Sequence, residues 1–206
     1  MANFVIVNGI RTTGERNIDL LGDELTDRGH TVVDLGIPVI GAVGASRRSV
    51  QRRNGRLLND AAREHFAEGS DVNVIGHSNG AATIYRSMWP TARFRWSTII
   101  LFNAAMREDW AWPSEGFDTL HNVHNPHDKA LKWGSRARWV MPAHIFGAMG
   151  KTGYSGTPPD DRIKNHNNPF RESKNWHNPW YCRYEVVSWA NRVEDWVAPA
   201  VRSGRD

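Results

Sequence analysis

The chain has 206 residues, of which 40% are hydrophobic and 23% are charged, and its formal net charge is +4 at pH 7. This length suits one buried core and is too short for two well-sized domains, so we expect a single domain over 1–206. The single cysteine excludes an internal disulfide and a multi-cysteine metal site. Apolar runs long enough to span a membrane and the pattern of a signal peptide are both absent from the sequence, which predicts a cytoplasmic protein.

Strand-like and helix-like segments alternate along the chain. The hydrophobic pattern predicts strands at 3–9, 30–36, 71–76, 96–104 and 117–125, and helices at 15–29, 46–68, 79–89 and 184–197. Such alternation with short connections is typical of a parallel sheet covered by helices on both faces. The predicted fold class is therefore α/β, a three-layer sandwich with a mostly parallel central sheet.

Two segments stand apart from this alternation. Residues 133–180 are rich in Gly, Pro, Asn and Trp with little periodicity, which predicts a loop-rich, lid-like insertion before the closing helix. The stretch 46–56 (SRRSVQRRNGR) predicts an exposed basic helix face, with contact to an anionic surface as the alternative. Because that stretch lacks aromatic residues for base stacking, we expect no nucleic-acid partner.

The stretch VIGHSNGAA (74–82) places Ser78 between Gly76 and Gly80, where a predicted strand meets a predicted helix. Gly-x-Ser-x-Gly in this context is typical of a nucleophile elbow. The sharp turn strains the serine backbone, and the glycines let strand and helix pack closely. The turn exposes the hydroxyl at a helix N-terminus, where developing negative charge is favoured. The alternative interpretation is a helix N-cap serine.

With this motif the chain resembles the α/β-hydrolases. The similarity runs through VIVNGIRT, VIGHSNGAA, VHNPHDKAL, NWHNPWY and the final helix. The resemblance implies a minimal α/β-hydrolase fold without a helical cap domain and a triad in the order serine, acid, histidine. Ser78 is then the nucleophile, which needs an adjacent base at neutral pH.

The acid implied by the resemblance lies just after a later strand. Asp128 in VHNPHDKAL occupies that place, and its alternative role is a surface helix N-cap. Asp109, which follows the 96–104 strand, is the rival position, and Asp118 opens a strand at its wrong end.

The base implied by the resemblance comes last, on the loop before the closing helix. His177 in NWHNPWY fits best, His166 is second, and His144 comes too early. The acid would hold the imidazole in the tautomer that accepts the serine proton. His77 flanks the nucleophile but points along the wrong side of the turn.

The resemblance also implies an oxyanion hole with two backbone donors. One is the N–H of Asn79, and the other is the N–H of Ile10 in the loop after the first strand, with Arg11 next in line. Gly9 keeps this loop close to the substrate. Asn8 replaces the commoner histidine of the family, which changes the hydrogen bonding expected within the loop.

Two competing patterns are discounted. Residues 9–14 match the front of a phosphate-binding loop, but Glu15 and Arg16 stand where that loop needs Lys and Ser/Thr, so we expect no nucleotide. A second group could suggest a metal: His121, His124, His127 and Asp128. In a strand, the first two histidines would face opposite sides, so we expect neither a metal nor a cofactor.

The predicted function is a serine hydrolase that cleaves a carboxylic ester through an acyl-enzyme, on a small-molecule or lipid-like ester. The small size resembles cutinase-like or lipase-like enzymes, and the short elbow-bearing chain with its Trp-rich loop and basic surface is similar in kind to phage lysis esterases. Thioesterase, amidase and acyltransferase chemistry share the same triad. A catalytically silent relative, gripping a ligand with the Trp-rich segment, is the alternative from another class.

Overall fold

A six-stranded sheet organises the protein, whose computed structural model describes residues 1–9, 18–36, 47–89, 94–132, 147–157, 159–168 and 183–198. The strands are β1 (Asn3–Val7), β2 (Thr31–Leu35), β3 (Val72–His77), β4 (Trp96–Phe102), β5 (Phe117–His124) and β6 (Ile163–Asn167). The helices are α1 (Asp19–Asp27), α2 (Arg48–His65), α3 (Gly80–Ser87), α4 (Met149–Thr152) and α5 (Arg183–Val197). None of these described helices is long and apolar enough to cross a membrane.

The strand order explains where a site can form. The strands pair in the order β2-β1-β3-β4-β5-β6, and every described pairing is parallel. From β1 the chain builds the sheet first towards β2 and then, from β3 onwards, in the other direction. In open parallel sheets ligands bind outside the carboxyl ends of the strands at such a switch point. The carboxyl ends of β1 and β3 therefore frame the expected site.

Apolar side chains fill both faces of the sheet. On one face α2 and α3 cover a cluster that includes Val74, Ile84 and Trp96, and on the other α1 and α5 cover a cluster that includes Ile75 and Trp189. Both tryptophans are fully buried. Alternate residues of β3 thus enter different layers, as a strand buried on both sides requires. The predicted three-layer α/β architecture is confirmed, and these two tryptophans are core residues.

The segment expected to be irregular, 133–180, contains regular structure where it is described. It forms the short helix α4 and the sixth strand β6, which pairs in parallel with β5. The sequence of β6 is IKNHN, and its residues are exposed or half-buried. A polar edge strand carries no hydrophobic alternation, so the sequence pattern did not predict it. The lid-like role predicted for the segment stays a prediction.

The basic stretch on α2 is placed as predicted. Arg52, Arg53 and Arg56 are exposed, while Gln51 and Asn54 of the same helix are buried. The helix therefore turns its arginines to solvent and its amide side chains inward.

Candidate active site

The backbone at Ser78 has the strain that a nucleophile elbow requires. β3 ends at His77, α3 begins at Gly80, and Ser78 between them has φ 53°. A non-glycine residue in this left-handed region is costly and persists only where the surrounding structure enforces it. The serine is thus held at the carboxyl end of β3, at the switch point of the sheet.

The two glycines of the motif are required by packing. A Cβ on Gly80 would lie 2.3 Å from the carbonyl oxygen of Val7, and a Cβ on Gly76 would lie 2.5 Å from Cδ1 of Ile84. Both distances are far inside van der Waals contact. The predicted reason for these glycines, close approach of strand and helix, is therefore confirmed.

The chain after β1 lies directly against the serine. A Cβ on Gly9 would be 2.8 Å from the Cβ of Ser78 and 3.4 Å from its Oγ. Asn8 anchors this stretch, because its side-chain Nδ2 donates to Oδ1 of Asp19 at 2.7 Å and of Asp34 at 3.5 Å. The amide that replaces the family's histidine thus ties the loop to the start of α1 and to β2.

One predicted oxyanion donor lies in the described part of the chain. Asn79 precedes α3 directly, and its N–H has no acceptor among the described residues. A backbone N–H in this place can receive a ligand oxygen. Ile10 and Arg11, the candidates for the second donor, lie outside the described residues, so that prediction is untested.

Asp128 follows β5 and is completely buried. Its Oδ2 accepts a hydrogen bond from Nδ2 of Asn103 at 2.9 Å, and its Oδ1 accepts one from the N–H of Leu131 at 2.9 Å. The second bond caps the helical turn at 129–132, as the alternative interpretation predicted. The residue is nevertheless in the interior, whereas that alternative placed it on the surface.

The segment after β4 connects the serine to the acid. The N–H of Ser78 donates to the carbonyl of Phe102 and the N–H of Ala105 donates to the carbonyl of Ser78, both at 3.0 Å. Between these two contacts lies Asn103, whose side chain reaches Asp128. Ser78 and Asp128 therefore belong to one hydrogen-bonded assembly at the carboxyl edge of the sheet.

The rival acids lie in other surroundings. Asp109 pairs with the guanidinium of Arg107 at 2.8 and 2.5 Å and is half exposed. Asp118 lies at the amino end of β5 and pairs with Arg95. The ends of the strands thus separate Asp128 from Asp118, as the sequence predicted.

The predicted base His177 and the earlier candidate His144 lie outside the described residues. The second choice, His166, lies on β6, and its Nε2 is 2.9 Å from Nδ1 of His121. Both rings stack on Trp196 of α5, with centroid distances of 4.5 Å for His121 and 4.6 Å for His166. His166 is thereby engaged in a contact that involves neither Ser78 nor Asp128.

The histidines of β5 face opposite sides of the sheet. His121 packs under α5, where burial, together with the charges of His166 and Lys164, lowers its pKa to about 3. His124 bonds to the backbone of Lys151 in α4, and burial lowers its pKa against that bond. The predicted opposition of these two side chains is confirmed. Among the described residues, no group of three or more potential ligands is arranged to hold a metal ion.

A cavity of about 690 Å³ lies at the amino ends of the strands, at the opposite end from Ser78. Its lining includes Arg63, Phe66, Asp71, Arg95 and Asp118, close to the amino ends of β3, β4 and β5. Neither Ser78 nor Asp128 lines it. Ligands of open parallel sheets bind at the carboxyl ends of the strands, where Ser78 lies, whereas this cavity lies at the amino ends.

Asn103 was missed by the sequence analysis, which placed it inside the 96–104 strand. The strand ends at Phe102, and Asn103 has φ 49°. Asparagine tolerates the left-handed region better than most residues, so an Asn after an apolar run and before two alanines was the available signal.

Solved structures with the same fold were found at low sequence identity. A protein from Xanthomonas campestris pv. campestris, described as an α/β-superfamily hydrolase, is 14% identical with a TM-score of 0.50, covering 95% of this chain and 99% of that chain. TT1662 from Thermus thermophilus is 14% identical with a TM-score of 0.54, covering 96% of this chain and 90% of that one. Esterase PE8 is 12% identical with a TM-score of 0.51, covering 94% and 92%.

The sequence itself matches no family model and no curated protein. The likeness is therefore one of structure, and it agrees with the parallel sheet. The chain has the α/β-hydrolase fold, as the sequence resemblance implied.

Proposed function

We propose that the protein is a serine hydrolase that cleaves carboxylic esters through an acyl-enzyme. The observation that carries the proposal is the joint placement of a strained serine and a buried carboxylate. Ser78 has φ 53° at the end of β3, and Asp128 is buried beyond β5. The 102–105 segment contacts both of them.

The proposed reaction has two halves. Ser78 Oγ attacks the ester carbonyl carbon while His177 takes the hydroxyl proton, and Asp128 orients the imidazole. The oxyanion is held by the N–H groups of Asn79 and Ile10. The imidazolium then gives its proton to the departing alcohol, leaving the acyl group on Ser78. Water, deprotonated by the same imidazole, attacks the acyl carbon and releases the carboxylic acid and the serine.

Burial of Asp128 supports its part in this scheme. A carboxylate with two fixed donors keeps one orientation, and exclusion of water strengthens its interaction with an imidazolium. Asp109 also accepts two hydrogen bonds, both from the Arg107 guanidinium, but it is half exposed, so water is not excluded from it.

The preference for ester substrates is supported by the comparison with esterase PE8, which shares this fold. Thioesters, amides and acyl transfer use the same triad, and the pocket decides among them.

The test is covalent labelling by a fluorophosphonate probe, which reacts with activated serines. We expect the intact protein to be labelled on Ser78, and Ser78→Ala and His177→Ala to lose the label while remaining folded. His166→Gln is the matched control, because His166 contacts His121 instead of the elbow, and it should keep the label.

Absence of labelling in the intact, folded protein would contradict the hydrolase proposal and favour a binding role. If labelling occurs, hydrolysis of matched ester, thioester and amide substrates tests the specificity. We expect the ester to be turned over fastest.

A further inference from the structure

Two described non-glycine residues have positive φ, and they lie in contact with each other's segments. Ser78 has φ 53° and Asn103 has φ 49°. The nucleophile elbow accounts for the first. A second strained residue at the same edge of the sheet needs its own explanation, because such conformations cost about 1–3 kcal/mol and persist where the fold enforces them.

Hydrogen bonds fix Asn103 on both its backbone and its side chain. Its N–H donates to the carbonyl of Val123 on β5 at 3.0 Å, and its Nδ2 donates to Oδ2 of Asp128 at 2.9 Å. The residue is completely buried. The left-handed backbone thus directs a buried amide donor at the carboxylate that follows β5.

The 102–105 segment also forms hydrogen bonds with the nucleophile elbow. The carbonyl of Phe102 accepts from the N–H of Ser78, and the N–H of Ala105 donates to the carbonyl of Ser78. Asn103 lies between these contacts, so a displacement of Asn103 would move the acid and the nucleophile relative to each other.

The helix α4 forms hydrogen bonds with the same assembly through Gly150. Gly150 donates to the carbonyl of Ala104 at 2.9 Å and accepts from the N–H of Asn125 at 2.8 Å. A Cβ on Gly150 would lie 2.1 Å from the carbonyl carbon of Asn103. Asn125 in turn accepts from the N–H of Asp128 at 3.0 Å. The side chain of Asp128 thus bonds directly to the side chain of Asn103, and its backbone N–H is linked to the Ala104 carbonyl through Asn125 and Gly150.

We infer that Asn103 is a positioning residue, which holds the Asp128 carboxylate in register with Ser78 through its Nδ2 donor and its left-handed backbone. The inference rests on the proposed hydrolase function. It assigns a role to a residue outside the triad and the oxyanion hole.

Two substitutions separate this role from simple packing. Asn103→Gly keeps the left-handed backbone without strain and removes the whole side chain with its donor, and Asn103→Asp keeps the packing. Asn103→Asp is nearly isosteric and sets a second carboxylate against Asp128, so one of the two carboxyl groups holds a proton to higher pH. The protonated group then donates to the other carboxylate, which restores the lost hydrogen bond at lower pH.

The measurement is the rate of Ser78 phosphonylation against pH, with folding checked by circular dichroism. We expect Asn103→Gly to react about tenfold more slowly than the parent. For Asn103→Asp, the rate relative to the parent should rise at least about tenfold between about pH 9 and pH 6, as the shared proton is gained.

Asn59→Asp is the matched control. It places a carboxylate at another buried asparagine, whose Nδ2 donates to the carbonyl of Ser87, and its relative rate should not change with pH. If Asn103→Gly does not fold, the pH response of Asn103→Asp decides the question alone.

Either of two results would overturn the inference while leaving the hydrolase intact. In the first, the Asn103 variants react as fast as the parent. In the second, the relative rate of Asn103→Asp is as independent of pH as that of Asn59→Asp. Failure of the folded parent to react would instead overturn the proposed function, and this inference with it.

Discussion

Strand β5 contains His121 and is followed by Asp128, and these two buried polar residues differ in the groups that surround them. At its carboxyl end, Asp128 is surrounded by donors, the Asn103 amide and the Leu131 N–H. Under α5, His121 is buried against His166 and Trp196, and its pKa is lowered to about 3. One surrounding supplies two fixed hydrogen-bond donors, and the other disfavours a charged imidazole.

A buried charged group in this fold needs hydrogen-bond partners. Fixed donors can replace the water that a carboxylate loses on burial. The two imidazole rings have one hydrogen bond between them and stack on Trp196, so they lack the several donors or acceptors that would replace the water an imidazolium loses on burial. The burial of the two sites is similar, so the hydrogen-bond partners make the difference.

The largest effect is expected from placing a carboxylate at the site that excludes charge. His121→Glu would bury an acid beside two aromatic rings, without the donors that Asp128 has. We expect the free energy of unfolding to fall by about 3–5 kcal/mol, measured by urea denaturation. Asp118→Asn, an exposed change on the same strand, should shift it by less than about 0.5 kcal/mol. A small loss in His121→Glu would mean that this site can also hold charge.

A slightly smaller effect is expected from removing the Asp128 carboxylate. Asp128→Ala leaves the Asn103 amide and the Leu131 N–H without their carboxylate acceptor. The expected loss of unfolding free energy is about 2–4 kcal/mol by the same method. Asp109→Ala, which removes a half-exposed carboxylate paired with Arg107, should cost less than about 1 kcal/mol. Equal losses would show that the Asp128 hydrogen bonds contribute no more than a surface pair.

The histidine site should make stability depend on pH. The pKa of His121 is about 3 in the folded protein against 6.5 ordinarily, so the unfolded chain binds more protons between these values. Unfolding free energy is therefore greatest above about pH 6.5 and falls as the pH drops, by about 2 kcal/mol from pH 7 to pH 5. Urea denaturation at both pH values measures it.

His121→Gln removes the contribution of His121 and should reduce the dependence, and the lowered pKa values of His124 and His166 should leave a smaller part of it. The exposed His65→Gln should retain all of it. An intact protein that is equally stable at both pH values would contradict the lowered pKa.

The smallest effect tests the part played by the tryptophan. Burial, together with the charges of Arg192 and Lys164, also lowers the pKa of His166. Trp196 is half-buried and stacks on both imidazoles, so Trp196→Ala should admit water and raise the pKa of both histidines towards its ordinary value. The difference in unfolding free energy between pH 7 and pH 5 should shrink by about 1 kcal/mol relative to the parent. An unchanged difference would show that Trp196 does not contribute to the lowered pKa values.

Much of the fold and part of the site could be predicted from the sequence, for physical reasons. Strands buried on both faces, such as FVIV at 4–7, give apolar runs, and at the elbow glycines an added Cβ would lie only 2.3–2.5 Å from its nearest neighbour. β6 could not be predicted, because the polar IKNHN strand is held by its pairing with β5.

The two polar sites illustrate the same limit. His121 and His166 are 45 residues apart, and their contact depends on the register of β5 with β6. The sequence pattern places Asn103 in a strand, whereas its backbone has φ 49°. Partners that come from different strands leave no local pattern in the sequence.

The most direct test of the central claim, that the Ser78 edge is catalytic and uses Asp128, is the phosphonylation rate of Asp128→Asn beside that of Asp109→Asn. The label is located on Ser78 by mass spectrometry of the digested protein. We predict a fall of at least about 100-fold for Asp128→Asn and a change within about twofold for Asp109→Asn. An Asp128→Asn variant that is folded and labelled at the parental rate would contradict the account.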